Sequence, residues 1–138
     1  MTPVIFINCK EQPFLDRILS GRKKFETRTR NTLGRFLDHA MNDRVLLAET
    51  GHGRPVIRAS ARISAIYSVS DAEDWNYFFP YTGIDSGSSY DWHPGTKVKW
   101  LYHLSNVKPV KPFQLSPDAR RHGRVWAEYN PTDSKIPC

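Results

Sequence analysis

The residues best suited to chemistry in this sequence lie in one ten-residue stretch, 21–30, which reads Gly-Arg-Lys-Lys-Phe-Glu-Thr-Arg-Thr-Arg. It contains five basic side chains and one acid, so it carries +4 of the formal net charge of +6. Ammonium and guanidinium groups bind phosphate oxygens, and the fork of an arginine matches them best. The stretch therefore predicts a site for an anionic ligand. The simpler alternative is a basic strand edge that discourages pairing with other sheets.

Alternation along a β-strand would sort these side chains onto two faces. One face would then carry Lys24, Glu26, Arg28 and Arg30. Glu26 is suited to orient a lysine or a substrate amine, and Lys23 to stabilise a developing negative charge. If instead Glu26 and Arg28 only pair with each other, they brace the loop. We favour a stretch that braces the loop and binds a ligand over a stretch that catalyses a reaction.

Three neighbouring features are predicted to position the basic stretch. Residues 4–9 form a short apolar run typical of a buried strand. Residues 13–19 repeat apolar side chains at helical spacing after Pro13, which suits a first helical turn. Gly21 supplies the left-handed residue that commonly ends a helix. The basic stretch therefore begins where a helix ends and a strand begins.

A curved sheet is predicted from the rest of the chain. Strands are expected at 44–50, 54–69, 97–104 and 124–129. Small alanines alternate with polar residues in the longest of them, and small inward side chains let a sheet curve into a barrel. The prolines of 107–112 place that segment at a sheet edge. The sequence predicts an α+β fold, a small mixed β-barrel of about five to six strands flanked by short helices.

The remaining segments give weaker signals. Residues 31–42 suggest a short helix, and a capping pattern that begins at Ser70 predicts another through about Tyr77. Residues 120–122 are expected in a loop. A chain of 138 residues is near the commonest domain size. We therefore expect a single domain over 1–130 and a flexible tail over 131–138.

A long loop rich in aromatic residues is predicted at 78–95. Loops of this length usually have a function or are mobile. Its rings either stack on nucleic-acid bases, at ~1–3 kcal/mol each, or pack the loop onto the barrel, which we favour. Tyr90 and Trp92 from this loop, together with Arg58 from the long strand, join Lys23, Lys24, Glu26, Arg28 and Arg30 as candidate ligand-binding residues.

Composition limits the compartment and the partners. The sequence has neither an apolar run near the ~20 residues that span a bilayer nor a signal-peptide pattern, so we expect a cytoplasmic protein without a membrane partner. Cys9 is predicted to be buried and Cys138 to be a free thiol. A pI near 9.5 favours polyanionic partners. The five histidines show no metal-ligand spacing, and no phosphate-binding glycine loop is present, so neither metal nor cofactor is expected.

The pattern Gly-x-Lys-x-x-Glu-x-Arg over 21–28, directly after an amphipathic helix, resembles the ASCH domain family. That family is built on a PUA-like β-barrel. Segments 43–69, 100–104 and 125–129 resemble its barrel strands, so the resemblance covers most of residues 4–129, except for 76–95. It implies a cleft beside the barrel that gathers Lys23, Glu26 and Arg28 and binds RNA, a nucleotide or a modified nucleoside.

The resemblance also implies two possible activities, with Lys23 and Glu26 as the candidate catalytic residues. Some members of the family are amidohydrolases that remove an acyl group from the exocyclic nitrogen of cytidine, and others are single-strand ribonucleases. In the amidohydrolase branch a threonine nucleophile stands where this sequence has Glu26, and the lysine that matches Lys23 activates it. That branch has a second acid near the positions of Arg58 and Ala59, where this sequence has no carboxylate.

Three functions are therefore open. The preferred one is a binding module for nucleic acid, RNA above all, or for a modified nucleotide. The second is a small hydrolase that acts on single-stranded RNA or on acylated cytidine nucleosides. The third is a protein-interaction domain that uses the aromatic loop.

Overall fold

A seven-stranded mixed sheet and two short α-helices make up the described part of the chain, residues 2–31, 43–123 and 125–129, in a computed structural model. The strands are β1 (Thr2–Asn8), β2 (Phe25–Arg28), β3 (Arg44–Thr50), β4 (Val56–Val69), β5 (Lys99–Gln114), β6 (Arg120–His122) and β7 (Trp126–Tyr129). The helices are α1 (Phe14–Leu19) and α2 (Ala72–Phe78), and a 3-10 turn at Phe79–Tyr81 follows α2.

The strands are arranged in the order β2-β5-β4-β3-β1-β7-β6. The pair β1 and β3 is parallel, and all other neighbours in this sheet are antiparallel. Among the described strands, β2 and β6 are the two edges and do not pair with each other, so the sheet is not closed. The α+β class, the mixed sheet and the flanking helices were predicted correctly. The predicted small barrel of about five to six strands is found, among the described residues, as a sheet of seven strands that does not close.

Alternating side chains of the central strands enter two separate cores. The core that contains both helices is formed by Ile5, Ile7, Val45, Leu47, Ala59 and Ile63 of the sheet with Phe14, Leu15, Ile18 and Trp75 of the helices. The core on the other face is formed by Val4, Phe6, Leu46, Ala48, Ile57, Leu115 and Ala127. Each face of the sheet therefore contributes to a core, and both α1 and α2 lie on the same face.

The region before the basic stretch folds as its sequence predicts. Residues 4–8 of the apolar run lie in β1, and Cys9, which directly follows the strand, is buried. The helix α1 buries Phe14, Leu15 and Ile18, and Gly21 follows it with φ +84°. Such a left-handed glycine ends many helices because it has no Cβ to clash with the preceding turn.

Two local predictions were wrong. The cap of α2 is Asp71, whose carboxylate accepts a hydrogen bond from the backbone N–H of Asp74 at 2.8 Å, and not Ser70. Residues 120–122, expected in a loop, form β6 and pair with β7. Pairing with a neighbouring strand outweighs weak local β-propensity here. The ring of His122 also stacks on Trp126, with 3.8 Å between their centres.

The proline-containing segment lies at a sheet edge, as its sequence predicts. It continues β5, in which Pro109 pairs with Ala59 of β4. The other neighbour, β2, pairs only with residues 100–103 of β5. The prolines therefore lie where β5 has one neighbouring strand among the described residues.

Several predictions fall on residues that the structure does not describe. They are the short helix expected over most of 31–42, the tail at 131–138 and Cys138. Within the described ranges, no helix is long and apolar enough to cross a membrane. The same ranges contain no group of three or more histidine, cysteine, aspartate or glutamate side chains that could hold a metal ion.

Candidate functional site

Lys23 is buried between α1 and the loop that follows α2. Its side chain is 2% exposed, and Nζ donates a hydrogen bond to the carbonyl oxygen of Thr82 at 2.7 Å. The same nitrogen lies 4.7 Å from the centre of the Phe14 ring. Burial lowers the pKa of Lys23 from 10.5 to about 8, while the negative charge of Glu26 opposes that shift. The amine of Lys23 therefore loses its proton at a pH that is only slightly above neutral.

Glu26 and Arg28, two residues apart on β2, each have a polar atom without a hydrogen-bond partner in the ranges that the structure describes. Oε1 of Glu26 accepts a hydrogen bond from the backbone N–H of Thr27 at 3.0 Å, but its buried Oε2 has no partner among the described residues. Nη2 of Arg28 donates to the carbonyl oxygen of Phe6 at 2.7 Å, whereas its buried Nε has none in the same ranges. An unsatisfied buried polar atom costs ~1–3 kcal/mol. A ligand that offers one donor and one acceptor would remove both costs.

Arg17 fastens the loop after α2 to α1. Its Nη1 donates hydrogen bonds to Gln12 Oε1 and to the carbonyl oxygen of Gly83, both at 2.7 Å. Its Nη2 lies 3.3 Å from a carboxylate oxygen of Asp85. Gly83 has φ +65°, and a Cβ at this position would lie 2.6 Å from Cβ of Lys23. These residues hold Lys23 in place, and sequence reasoning missed them. The one feature of the sequence that could have indicated them is a glycine next to a threonine inside the aromatic loop.

A hollow of about 530 Å³ opens beside Arg28. It is lined by Phe6, Asn8, Arg28, Thr50, Gly51, Gly53, Pro55, Arg121, Gly123 and Val125. Two of these residues are cations and none is an acid. Pockets of ~300–1,000 Å³ accommodate small ligands. Lys23 and Glu26 are not among the lining residues, so Arg28 is the predicted residue that connects the buried pair with the hollow.

Arg121 is a second cation of this hollow that sequence reasoning did not select. Its guanidinium carbon lies 5.8 Å from the centre of the Phe6 ring. It reaches the hollow because β6 pairs with β7, which in turn pairs with β1. No local pattern could indicate this contact, since it depends on pairing between distant strands.

Of the two aromatic candidates, Tyr90 is the one that lies close to the buried residues Lys23 and Glu26. Its half-buried ring meets Phe14 edge-on, with 4.9 Å between the ring centres. Burial raises the pKa of the Tyr90 hydroxyl, and the negative charges of Glu11 and Glu26 raise it further. The structure thus brings together Lys23, Glu26, Arg28 and Tyr90.

Arg58 lies elsewhere, between α1 and β3. Its guanidinium donates to Asp16 at 2.6 Å and to Glu49 at 2.7 Å, and these interactions raise the pKa of Arg58, with the hydrogen bond to Asp16 as the largest cause. A guanidinium held by two carboxylates braces the helix against the sheet. The guanidinium of Arg58 therefore points to these two acids.

The other three candidates also lie apart from the buried group. Trp92 is half-buried and packs near Trp75, with 6.3 Å between the ring centres. Lys24 and Arg30 are both exposed. Since β2 ends at Arg28, the predicted alternation does not extend to Arg30, and the buried lysine is Lys23 rather than its neighbour.

The fold matches solved structures of ASCH proteins. The crystal structure of ASCH from Zymomonas mobilis superposes with a TM-score of 0.65 at 22% sequence identity, over 83% of this chain and 73% of that one. Two variants of the same protein, one with a tyrosine-to-phenylalanine and one with a serine-to-alanine substitution, give TM-scores of 0.65 and 0.64 at 22% identity. These matches cover 83% of this chain and 76% and 74% of the respective variant chains.

No family model and no curated protein matches the sequence. The structural matches nevertheless show that this chain has the fold of the ASCH protein, as the pattern at residues 21–28 predicted.

The substitution Gly83→Ala is expected to lower the free energy of unfolding by about 2–4 kcal/mol, because it adds a clash with Lys23 to the strain of a left-handed alanine. The matched control is Gly87→Ala, since Gly87 has φ +75° but open space where a Cβ would stand. Its expected loss is about 1–2 kcal/mol. Urea unfolding followed by tryptophan fluorescence measures both, and equal losses would contradict a tight contact at Lys23.

The depressed pKa of Lys23 predicts a pH-dependent stability. Above about pH 8 the folded chain releases the Lys23 proton, whereas the unfolded chain holds it up to about pH 10.5. The unfolded state therefore binds more protons in that window, and the contribution of Lys23 to stability rises with pH by up to about 3 kcal/mol.

The measurement is the difference in unfolding free energy between the parent protein and Lys23→Met, taken from pH 7 to pH 10.5. Other titrating groups are common to both proteins, including Cys9, whose pKa burial raises to about 11. The matched control is the same comparison with the exposed Lys111→Met. A difference for Lys23→Met that does not rise with pH relative to this control would show that Lys23 is not desolvated.

Proposed function

We propose that the protein binds single-stranded RNA or a modified nucleotide, with the base against Glu26 and Tyr90 and a phosphate in the hollow beside Arg28. The observation that supports this most strongly is a pair of buried atoms without a hydrogen-bond partner in the described part of the chain, Oε2 of Glu26 and Nε of Arg28. They lie next to a hollow whose lining, among the same residues, includes two arginines and no acid.

The chemistry of the pair favours a nucleobase with an amino group. A carboxylate accepts a hydrogen bond from the exocyclic amine of cytosine, which is the usual contact between acidic side chains and that base. Nε of Arg28 can donate to an acceptor on the same ligand. The ring of Tyr90 offers a face for stacking, as bases stack on aromatic side chains in single-strand binding proteins.

The charge of the hollow favours a phosphate. Arg28 and Arg121 are both arginines, whose planar guanidinium groups match phosphate oxygens. The surrounding basic stretch adds exposed cations at Arg22, Lys24 and Arg30. Such a surface attracts a polyanion from a distance and makes its binding sensitive to salt.

The test is a titration with a single-stranded RNA of about 10 nucleotides, followed by fluorescence anisotropy at several salt concentrations. Arg28→Gln and Arg121→Gln should each weaken binding by about tenfold and reduce the salt slope by about 0.7, because each removes one phosphate contact. Glu26→Gln should weaken binding to RNA that contains cytosine more than binding to RNA that lacks it.

The matched control is Lys111→Gln, which removes the same charge from an exposed position of β5 outside the hollow. Its affinity should stay within about twofold of the parent protein. An absence of binding at low salt, or an equal loss in the control, would refute the proposal.

A hydrolase acting on the same ligands is the second candidate, and the pKa of Lys23 favours it. A general base works best when its pKa lies near the working pH, and the pKa of Lys23 is about 8. Neutral Lys23 could take a proton from an attacking group beside Glu26. This role would make the rate rise as the pH approaches 8 from below.

Turnover is expected with single-stranded RNA or with cytidine acylated on its exocyclic nitrogen. Lys23→Ala should abolish it, whereas His52→Ala should retain it, since His52 is exposed and its ring nitrogen contacts only the backbone of Cys9 among the described residues. Product formation by chromatography across pH 6–9 provides the readout. Undetectable turnover by a protein that binds the substrate would exclude catalysis and leave the binding function.

A further inference from the structure

Tyr90 lies in a segment, residues 82–98, that belongs to no helix or strand and connects the 3-10 turn to β5. The position of its ring must therefore be fixed by side-chain contacts rather than by a strand or helix. Lys99, the first residue of β5, makes such a contact. We propose that Lys99 is a positioning residue that holds Tyr90 where its ring can stack on a base. This inference rests on the function proposed above, in which Tyr90 is the residue that stacks.

Lys99, like Lys23, is a buried lysine. The residue is 5% exposed, and its Nζ donates a hydrogen bond to the carbonyl oxygen of Tyr90 at 2.7 Å. The same nitrogen lies 5.3 Å from the centre of the Trp75 ring. Burial lowers the pKa of Lys99, while the negative charge of Asp91 opposes that shift. A buried amine needs such partners because it has lost its water, so the contact with Tyr90 cannot be broken without a cost.

A second contact holds the residue next to Tyr90. The carboxylate of Asp91 accepts a hydrogen bond from Nε1 of Trp75 at 2.8 Å and another from the backbone N–H of Trp92 at 2.7 Å. Trp75 belongs to α2 and is fully buried. The tryptophan that binds Asp91 is therefore the one whose ring lies against the amine of Lys99. The backbone at residues 90 and 91 is thus held by both the sheet and α2.

Lys99 connects the ring of Tyr90 to a fixed part of the sheet. In the pairing of β4 with β5, Lys99 lies directly opposite Val69, which is buried. At the other end, the ring of Tyr90 meets Phe14 at 4.9 Å, and the amine of Lys23 lies 4.7 Å from the same Phe14 ring. A ring that is held in place beforehand binds a ligand without the cost of ordering a loop.

The test measures the binding of two single strands of about 10 nucleotides by fluorescence anisotropy: a cytidine RNA, and an abasic strand that keeps every phosphate but has no base. The variant is Lys99→Met in the full chain, which keeps the apolar stem but removes the charge and the donor. It should weaken binding of the cytidine strand by about fivefold, because the ring of Tyr90 is no longer held in place. Its affinity for the abasic strand should stay within about twofold of the parent protein and its salt slope should not change, because Lys99 contacts no phosphate.

The matched control is Lys97→Met, which removes the same charge from an exposed lysine two residues earlier. Its affinity for both strands should stay within about twofold of the parent protein. Lys99→Arg keeps a charged donor for the carbonyl of Tyr90 and should bind the cytidine strand within about twofold of the parent protein. Thermal unfolding checks that each variant is folded. Lys99→Gln, whose side chain ends short of that carbonyl, replaces Lys99→Met if the methionine variant does not fold.

A double-mutant cycle distinguishes positioning from a general loss of stability. Tyr90→Leu should weaken binding of the cytidine strand, and Lys99→Met added to it should cause no further loss, because Lys99 acts only through that ring. Arg121→Gln removes a different contact, so its loss should multiply with that of Lys99→Met. Losses of Lys99→Met and Tyr90→Leu that multiply, or an equal loss of Lys99→Met for both strands, would overturn the proposal.

The two strands also separate this inference from the function on which it rests. If the parent protein binds neither strand at low salt, the proposed function fails. If it binds both equally, the placement of a base against Tyr90 is rejected, and the role of Lys99 with it. If it prefers the cytidine strand and Lys99→Met leaves that preference intact, the base site stands and the role of Lys99 is rejected.

Discussion

The burial of Lys23 is the constraint on which the rest of the candidate site depends. A charged amine removed from water costs free energy unless nearby groups replace its hydration. Here the replacements come from three different segments: the carbonyl oxygen of Thr82, the ring of Phe14 and the negative charge of Glu26. The lysine can therefore be accommodated only if α1, the loop after α2 and β2 hold fixed positions relative to one another.

The same requirement explains why so many ionic contacts surround α1. With six residues, this helix is too short to be stable alone, and it must be held by its neighbours. Arg17 ties it to the loop after α2, and Arg58 ties Asp16 of the helix to Glu49 of β3. The helix is thus held from two directions. Neither contact uses Glu26, whose buried Oε2 has no hydrogen-bond partner in the described part of the chain.

The order of strand, helix and strand around the site could be predicted from the sequence because local periodicity determines it, as at residues 4–9 and at Gly21. Which of the two neighbouring lysines is buried could not be predicted in this way. Lys23 rather than Lys24 turns inward because Thr82, 59 positions away, supplies its acceptor. The place of Arg121 in the hollow likewise depends on the pairing of β6 with β7. Such contacts leave no local pattern.

The two interpretations of the basic stretch, ligand site and protected edge, are compatible because they concern different side chains. The strand β2 is an edge of the described sheet and has four residues. Lys24 and Arg30 flank it in solvent, where charged side chains discourage pairing with another sheet. Glu26 and Arg28 lie within it, and each has a buried atom without a hydrogen-bond partner among the described residues. For the function proposed above, such an edge would also leave room for a strand of nucleic acid to approach the site, which a closed barrel would restrict.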